Sequence, residues 1–130
     1  MLPILLLFIQ GSLSSFLKLD DRKYHQFLKE HDPAVVIIYE EWCGFSKKAL
    51  KIFSGFQKNP AFLHLNVLVG LFDVHAFPDF KAHHSVTKFP LIELHINKAK
   101  LTYSGPLSPQ FLLKWLKESI GRTAIPALTH

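Results

Sequence analysis

The only cysteine of the 130-residue chain, Cys43, lies within the stretch IIYEEWCGFSKKALKIF, residues 37–53. It stands at the end of an apolar run and at the start of a pattern with helical periodicity. A thiol at the amino end of a helix can act as a nucleophile, because free backbone N–H groups and the helix dipole stabilise its thiolate. The same position also fits an unreactive remnant of a redox pair. The sequence therefore poses a choice between a working thiol and a remnant.

The single cysteine and the scattered histidines restrict the kinds of site that the chain can build. One cysteine excludes an intramolecular disulfide and any zinc site with more than one thiolate ligand. No two histidines stand four residues apart around an acidic residue, so surface or core positions are favoured and no metal ligand is assigned. The eight histidines are His25, His31, His64, His75, His83, His84, His95 and His130.

The composition indicates one globular domain of ordinary size. Hydrophobic residues make up 48% of the chain and charged residues 19%, which argues against disorder. The net charge of +5 favours acidic partners in general. Most lysines are scattered singly, and no run rich in Lys and Arg has interleaved aromatic residues, so nucleic-acid binding is not expected.

Hydrophobic patterning predicts the elements that precede the cysteine. Residues 16–19 predict a short strand, and Asp20 or Asp21 should cap a helix that Asp32-Pro33 closes. The run AVVIIY, residues 34–39, is apolar and β-branched, which is typical of a strand buried on both faces. The cysteine is therefore expected just beyond the end of a buried strand.

A helix is predicted to begin at the cysteine itself. Residues 43–57 have helical periodicity, with Leu50, Phe53 and Phe56 on one stripe. Another strand is expected somewhere within residues 62–74. The thiol should thus lie where a buried strand passes into a helix that packs on the sheet.

The second half of the chain predicts a short helix, a hairpin and a final helix. Pro78 opens the short helix, and two strands flank a turn at Asn97-Lys98. The last helix has Ser108 as its cap and Pro109 at its first position, and Gly121 is its expected stop. The element order β-α-β-α-β-α-β-β-α predicts one mixed sheet between helices.

The amino terminus has the pattern of a secretory signal peptide. Residues 2–9 form an unbroken apolar run, and small residues at Ser12 and Ser14 suit cleavage after Ser14. The run is shorter than the ~20 residues that cross a bilayer, so stable membrane insertion is not expected. The alternative is a buried first strand or a mobile tail. The predicted organisation is a signal peptide at 1–14, a domain at 15–121 and a carboxy-terminal tail at 122–130.

Four stretches in this order resemble the thioredoxin fold, and specifically a protein disulfide isomerase-type domain. They are LDDRKYHQFLKEH, VVIIYEEWCGFSKK, FDVHAFPDFKAHHSVTKFP and YSGPLSPQFLLKWLKESIG. They resemble the opening strand and helix, the strand that leads to Trp-Cys, the segment with the family's cis-proline, here Pro90, and the closing strand and helix. The resemblance covers roughly residues 16–121. It implies an α/β thioredoxin fold with a central mixed β-sheet flanked by helices and a cis-proline before the β-hairpin.

Several positions depart from the family pattern. The position three residues after the nucleophilic cysteine usually holds the resolving cysteine, and here it is Ser46. The buried acid that assists proton transfer in many members would fall at Ile37, which carries no proton. Leu91 follows the cis-proline in place of the common Thr, and Glu41 precedes the Trp where Pro is frequent. These departures exclude a two-cysteine redox cycle and leave the activity of the remaining thiol open.

The letters CGFS at residues 43–46 also spell the active site of monothiol glutaredoxins, which bind iron-sulfur clusters with glutathione. Trp42 is instead a thioredoxin trait, and no Gly-Gly follows the Pro90 strand where glutaredoxins hold glutathione. Cluster binding is therefore the weaker alternative. No cofactor is expected, although glutathione could serve as a resolving thiol.

The resemblance places Cys43 at the amino end of a helix, where its pKa should be lowered. Lys47 and Lys48 add positive charge one turn later, and the Ser46 hydroxyl can donate a hydrogen bond to the sulfur. Glu40 and Glu41, which precede the Trp-Cys pair, would raise the pKa if they lie close to the sulfur. We expect a moderately acidic, partly exposed thiolate.

The chemistry of such a thiolate is attack on a disulfide to form a mixed disulfide. Ser46 cannot resolve this intermediate, so an external thiol, from glutathione or a client cysteine, must do so. The resemblance implies thiol-disulfide exchange or covalent capture of cysteine-containing client proteins through Cys43, with Ser46 as a local stabiliser of the thiolate. The alternative is a redox-inactive thioredoxin-like module that binds clients without chemistry.

The resemblance also implies where a client would bind. In the family, the backbone beside the cis-proline pairs with an extended client segment. An apolar patch around the sulfur would consist of Trp42, Phe45, Phe89 and Pro90, unless Phe45 folds back onto the domain. Together with the amino-terminal signal, the resemblance predicts a location in the secretory pathway, either the endoplasmic reticulum lumen or the exterior.

Overall fold

The computed structural model describes residues 16–83 and 88–123. The predicted signal peptide and most of the predicted carboxy-terminal tail lie outside the described residues. No helix within these two ranges is long and apolar enough to cross a membrane. The elements are β1 (Phe16–Leu19), α1 (Asp21–Glu30), β2 (Ala34–Tyr39), α2 (Gly44–Phe56), α3 (Pro60–Leu63), β3 (Leu68–Asp73), α4 (Pro78–His83), β4 (Leu91–Ile96), β5 (Ala99–Thr102) and α5 (Pro109–Thr123).

The described strands form one five-stranded mixed sheet in the order β1-β3-β2-β4-β5. β1 and β2 are both parallel to β3, whereas β4 is antiparallel to β2 and β5 is antiparallel to β4. This arrangement confirms the predicted mixed sheet and the predicted order of elements, with one short helix added. Because β2 is the central strand, the cysteine that follows it lies at the middle of one end of the sheet.

The central strand β2 is buried on both faces, as its composition predicted. All six of its residues are buried. Val35 and Ile37 belong to the core cluster that α2 and α5 cover, whereas Val36 and Ile38 belong to the cluster that α1 and α4 cover. This alternation follows from the two-residue period of a strand. The sheet is thus covered by helices on both faces.

Helix α2 is fixed to the sheet by the apolar stripe that the sequence predicted. Phe53 and Phe56 are buried in the first core cluster, and Leu50 packs partly buried against it. Phe53 is completely inaccessible, and its ring centroid lies 5.1 Å from that of Phe56. The position of α2 on the sheet, and therefore of its amino end, is set by these rings.

Two local features differ from the prediction. Helix α3 was not expected; Asn59 caps it by accepting a hydrogen bond from the N–H of Ala61 at 2.9 Å. Helix α5 does not stop at Gly121 but continues to Thr123. The Thr123 hydroxyl donates to the carbonyl of Ser119 at 2.7 Å, which satisfies one carbonyl of the last turn. Glycine is compatible with a helix interior at a modest cost, so it stops a helix only when the following backbone turns away.

The β4–β5 hairpin turns at Asn97 and Lys98, as predicted. Both residues have positive φ, 51° and 66°, which is the geometry of a two-residue type I′ turn. Both carboxylate oxygens of Asp32 accept the N–H of Asn97, at 3.0 and 3.2 Å. The turn is thereby tied to the loop that precedes β2.

Candidate functional site

Cys43 caps the amino end of α2, directly after the loop that leaves β2. Its backbone is extended, with φ −82° and ψ 123°, and Gly44 is the first helical residue. The N–H of Cys43 donates to the carbonyl of Glu40 at 3.1 Å, and the carbonyl of Cys43 accepts the N–H of Lys47 at 3.0 Å. The thiol therefore stands where the N–H groups of the first helical turn have no intrahelical partner.

The thiol lies beside the backbone of the cis-proline segment. Cys43 Sγ is 3.8 Å from the carbonyl oxygen of Phe89, a weak contact in which the thiol donates. The Phe89–Pro90 peptide bond is cis, as the resemblance implied, and both residues are half-buried. The fold thus joins two segments that the sequence separates by 46 residues.

The first turn of α2 lowers the pKa of Cys43 below its ordinary value. The largest cause is the backbone N–H of Ser46, which partial desolvation of the sulfur opposes. The Ser46 hydroxyl and the N–H of Phe45 lower the pKa further, and the charge of Glu40 raises it. The lysines of this turn are exposed and are not among the causes. The lowered pKa of Cys43 thus comes from hydrogen bonds. The charges of Lys47 and Lys48, which were also expected from the sequence to lower this pKa, are not among its causes.

Ser46 connects the first turn of α2 to the end of β2. It is completely buried, and its Oγ accepts the backbone N–H of Glu40 at 3.2 Å. A hydroxyl can accept one hydrogen bond and donate another. Its proton therefore remains for the sulfur of Cys43, where it stabilises the thiolate. Ser46, which stands where the family has its resolving cysteine, thus also joins α2 to the end of β2.

Ile37, at the position of the family's buried acid, lies entirely within the apolar core. Its partner on the adjacent strand is Ile92, and Leu94 on the same face is also buried and apolar. Neither β2 nor β4 places a carboxylate on this face; the ionisable residue there is Tyr39, whose pKa is raised by burial. The buried acid of the family pattern is therefore replaced by an apolar side chain in this chain.

A buried carboxylate that the sequence prediction missed lies on the other face of the sheet. Glu93 is 2% exposed, and its Oε1 accepts from the Tyr24 hydroxyl at 3.3 Å and from His95 Nε2 at 2.9 Å. Its Oε2 lies 3.6 Å from Lys100 Nζ. The signal was the alternation in LIELHI, where two polar residues stand two apart in an apolar strand.

The environment of Glu93 keeps it charged. Desolvation would raise its pKa, but the hydrogen bond and charge of His95, the charge of Lys100 and the Tyr24 hydroxyl outweigh it, so the pKa of Glu93 is lowered. Burial and the nearby carboxylate raise the pKa of Tyr24. The cluster is an ion-pair network and not a metal centre, since the described ranges contain no group of three His, Cys, Asp or Glu side chains arranged to hold a metal ion.

Two large apolar side chains flank the thiol and are open to solvent. Trp42 is 72% exposed and Phe45 is 67% exposed, so Phe45 does not fold back onto the domain. Phe89 and Pro90 form the half-buried side of the same region. Exposed aromatic side chains beside a thiol are an arrangement that a partner's apolar residues can cover.

Two known proteins resemble the chain over most of its length. The thioredoxin domain-containing protein C13F5.05, mitochondrial, of Schizosaccharomyces pombe is 28% identical over 115 residues, which cover 82% of this chain and 31% of that protein. The protein disulfide-isomerase of Medicago sativa is 29% identical over 112 residues, which cover 81% of this chain and 21% of that protein. The chain thus spans less than a third of the length of these relatives.

Solved structures share the fold. The zinc-bound form of human ERp44 superposes with a TM-score of 0.70 at 23% identity, covering 81% of this chain and 31% of that one. The J-Trx1 fragment of ERdj5 superposes with a TM-score of 0.69 at 14% identity, covering 82% and 52% of the two chains. The family model described as Thioredoxin matches residues 15–118. The chain therefore belongs to the thioredoxin family.

Proposed function

We propose that this protein is a monothiol, protein disulfide isomerase-like thioredoxin that exchanges disulfides with client proteins, or captures them covalently, through Cys43. One observation carries the proposal: a partly exposed thiol with a lowered pKa stands 3.8 Å from the carbonyl oxygen of Phe89, beside the cis-proline segment. The similarity to a protein disulfide-isomerase supports the same chemistry at the level of the family.

The reaction begins with the thiolate of Cys43, which attacks one sulfur of a client disulfide. The bond between Cys43 Sγ and that sulfur forms as the client's own S–S bond breaks, and the second client sulfur leaves as a thiolate that takes a proton from water. Resolution requires a further thiolate, from glutathione or from another client cysteine, to attack the mixed disulfide. Cys43 then leaves as a thiolate. When the resolving thiol belongs to the client, the cycle rearranges disulfides without net oxidation or reduction.

Ser46 has two roles in this proposal. Its hydroxyl stabilises the attacking and leaving thiolate of Cys43, as its effect on the pKa indicates. It cannot form a disulfide, so the mixed disulfide with the client persists until an external thiol arrives. A long-lived mixed disulfide distinguishes this site from a dithiol site and allows the protein to hold a client covalently.

The client is held, in this proposal, by the aromatic side chains and by the backbone beside the cis-proline. An extended client segment pairs with the backbone at Phe89 and Pro90 by strand addition. Trp42 and Phe45 cover apolar client residues on either side of the sulfur, which their exposure allows. The proposed setting is the secretory pathway, supported by the apolar run at residues 2–9 and by the similarity to a protein disulfide-isomerase.

The direct test is to trap the intermediate. The full chain is mixed with a reporter protein whose one cysteine is joined by a disulfide to a small aromatic thiol, which leaves as a weak nucleophile and does not reverse the exchange, and the adduct is followed on a non-reducing gel. We expect an adduct that persists until glutathione is added, none with Cys43→Ala, and a shorter-lived one with Ser46→Cys, which restores a resolving thiol. Ser54→Cys is the matched control, since that residue is exposed on the same helix and away from its first turn. A wild-type protein that forms no adduct would contradict the proposal.

The second candidate function is a binding module without redox chemistry. The exposure of Trp42 and Phe45, together with the apolar Ile37, favours it. Binding to an unfolded client with blocked cysteines separates the two candidates. For a module, the double variant Trp42→Ala/Phe45→Ala should lose about tenfold in affinity, whereas Cys43→Ala should bind normally. Leu63→Ala/Phe111→Ala, which removes two exposed apolar residues elsewhere, is the control. If both double variants bind like the wild type, this patch is not the binding surface.

A further inference from the structure

A concave region lies at the end of the sheet opposite to the thiol. It is a cleft of about 500 Å³ between the end of α1, the loop before β2 and the β4–β5 hairpin. β2 runs from this loop toward Cys43. The six residues of that strand place the cleft about 20 Å from the thiol end of the sheet. The cleft is therefore separate from the candidate thiol site.

Six of the ten residues that line the cleft are lysines or histidines. Its acidic lining residue is Asp32, and both oxygens of that carboxylate already accept the N–H of Asn97. Glu93 lies beneath the lining and is compensated by His95 and Lys100. The basic lining residues are His25, Lys29, His31, His95, Lys98 and Lys100.

Two of the three lysines in the lining form no ion pair with the described residues. Lys29 and Lys98 are exposed, and within residues 16–83 and 88–123 neither forms an ion pair. Lys100, in contrast, is 3.6 Å from Glu93, and His95 donates to the same carboxylate. The uncompensated charge is therefore concentrated on the two sides of the cleft that α1 and the hairpin turn supply.

The backbone at Lys98 is unfavourable for a lysine. Its φ is 66°, at the second central position of a two-residue turn that strongly prefers glycine. A side chain in this conformation costs about 1 kcal/mol relative to glycine. The sequence nevertheless places a long cation here, at the rim of the cleft. An unfavourable backbone conformation at a cleft is a reason to look for a function of the side chain.

We propose that this cleft binds a small, multiply charged oxyanion of the phosphate or sulfate type, held by Lys29 and Lys98. The imidazole of His31 lines the same space. The volume lies within the range of about 300–1,000 Å³ that is usual for small-molecule sites, which favours a free anion over an extended chain. No covalent step is involved, and the site is independent of Cys43.

The test is titration of the full chain with inorganic pyrophosphate at constant ionic strength, followed by calorimetry and by amide chemical shifts. Lys29→Gln and Lys98→Gly should each weaken binding about three- to fivefold, as expected for one exposed charge. Lys98→Gly also relieves the backbone, so its midpoint of thermal unfolding should equal or exceed that of the wild type. Lys58→Gln, which removes an exposed lysine of the loop after α2, and Cys43→Ala should bind like the wild type.

Three results would overturn the proposal. One is an equal loss of affinity in Lys58→Gln and Lys98→Gly, which would show nonspecific attraction to a basic protein. Another is a set of shifted amides that spreads over the whole surface instead of the end of α1 and the hairpin. The third is binding that does not saturate below about 10 mM pyrophosphate, which is too weak for a built site.

Discussion

A cysteine acts as a nucleophile only as its thiolate, so the hydrogen bonds around Cys43 decide what fraction of its thiol is ionised. Most of these bonds come from backbone N–H groups of the first turn of α2, which substitutions cannot remove without changing the helix. The Ser46 hydroxyl is the side-chain part of the same stabilisation. Substitution of Ser46 therefore measures how much of the lowered pKa of Cys43 comes from a side chain and how much from the helix backbone.

The first prediction concerns the pH dependence of alkylation of Cys43. Because the pKa is lowered, the thiolate is present above the lowered midpoint and is lost as the pH falls through it. The alkylation rate should reach its plateau with a midpoint below the ordinary cysteine value of about 8.5. Ser46→Ala should move this midpoint upward, and Ser54→Ala should leave it in place. A wild-type midpoint at or above about 8.5 would favour the remnant over the working thiol.

At the scale of elements, the amino end of α2 is positioned by rings that are far from the sulfur. Phe53 is completely buried between α2 and the sheet, near the rings of Phe56 and Phe62. Its loss would leave a cavity that a packed core fills only in part. The geometry at the thiol therefore depends on packing two to three helical turns away.

The second prediction is that Phe53→Ala lowers the free energy of unfolding by about 3–5 kcal/mol, as measured by urea denaturation. Phe111→Ala removes the same ring from a position that is 53% exposed, and it should change the free energy by no more than about 0.5 kcal/mol. Equal effects of the two substitutions would mean that α2 is not anchored by this stripe.

The third prediction concerns Glu93, whose contacts join α1, β4 and β5. Its lowered pKa means that the charged carboxylate adds stability above the ordinary carboxyl pKa, and that this stability is lost as the pH falls through the folded-state value. Glu93→Gln should therefore be less stable than the wild type by about 1–3 kcal/mol at neutral pH. The difference should narrow below about pH 4. Glu118→Gln, an exposed control, should show no such trend, and a constant difference for Glu93→Gln would contradict the assignment.

At the scale of the whole molecule, the two ends of the sheet should act independently. The cleft and the thiol are separated by about 20 Å, the length of β2, whereas charges in solution are screened over about 8 Å at physiological ionic strength. The fourth prediction is that saturating pyrophosphate leaves the alkylation midpoint of Cys43 unchanged. A shift of the midpoint would show that the anion binds near the thiol or that the two ends are coupled through the sheet.

The parts of the fold that the sequence predicts are those with strong local patterns. AVVIIY has one interpretation, a strand buried on both faces, and the stripe of Phe53 and Phe56 has one face to pack. The hairpin at Asn97 and Lys98 follows from a polar pair between two strand patterns. The position of the thiol follows from these elements, because a cysteine between a central strand and its helix must lie at the end of the sheet.

The parts that the sequence does not predict depend on contacts between distant segments. The network at Glu93 needs Tyr24, which lies 69 residues earlier, and no local pattern joins them. The cleft needs Lys29 and Lys98, which the sequence presents as two of many scattered lysines. The hydrogen bond from the backbone N–H of Glu40 to the Ser46 hydroxyl likewise cannot be predicted from the sequence, because it forms only when the strand and the helix are in place.

The contact between Ser46 and Glu40 bears on what a single substitution to a dithiol site would cost. The Ser46 oxygen is a buried acceptor for a backbone N–H, and sulfur is larger and a weaker acceptor than oxygen. A single change to cysteine would therefore gain a second thiol but weaken the attachment of the helix to the strand. A stable dithiol variant of this site therefore needs a compensating change near the contact between the helix and the strand.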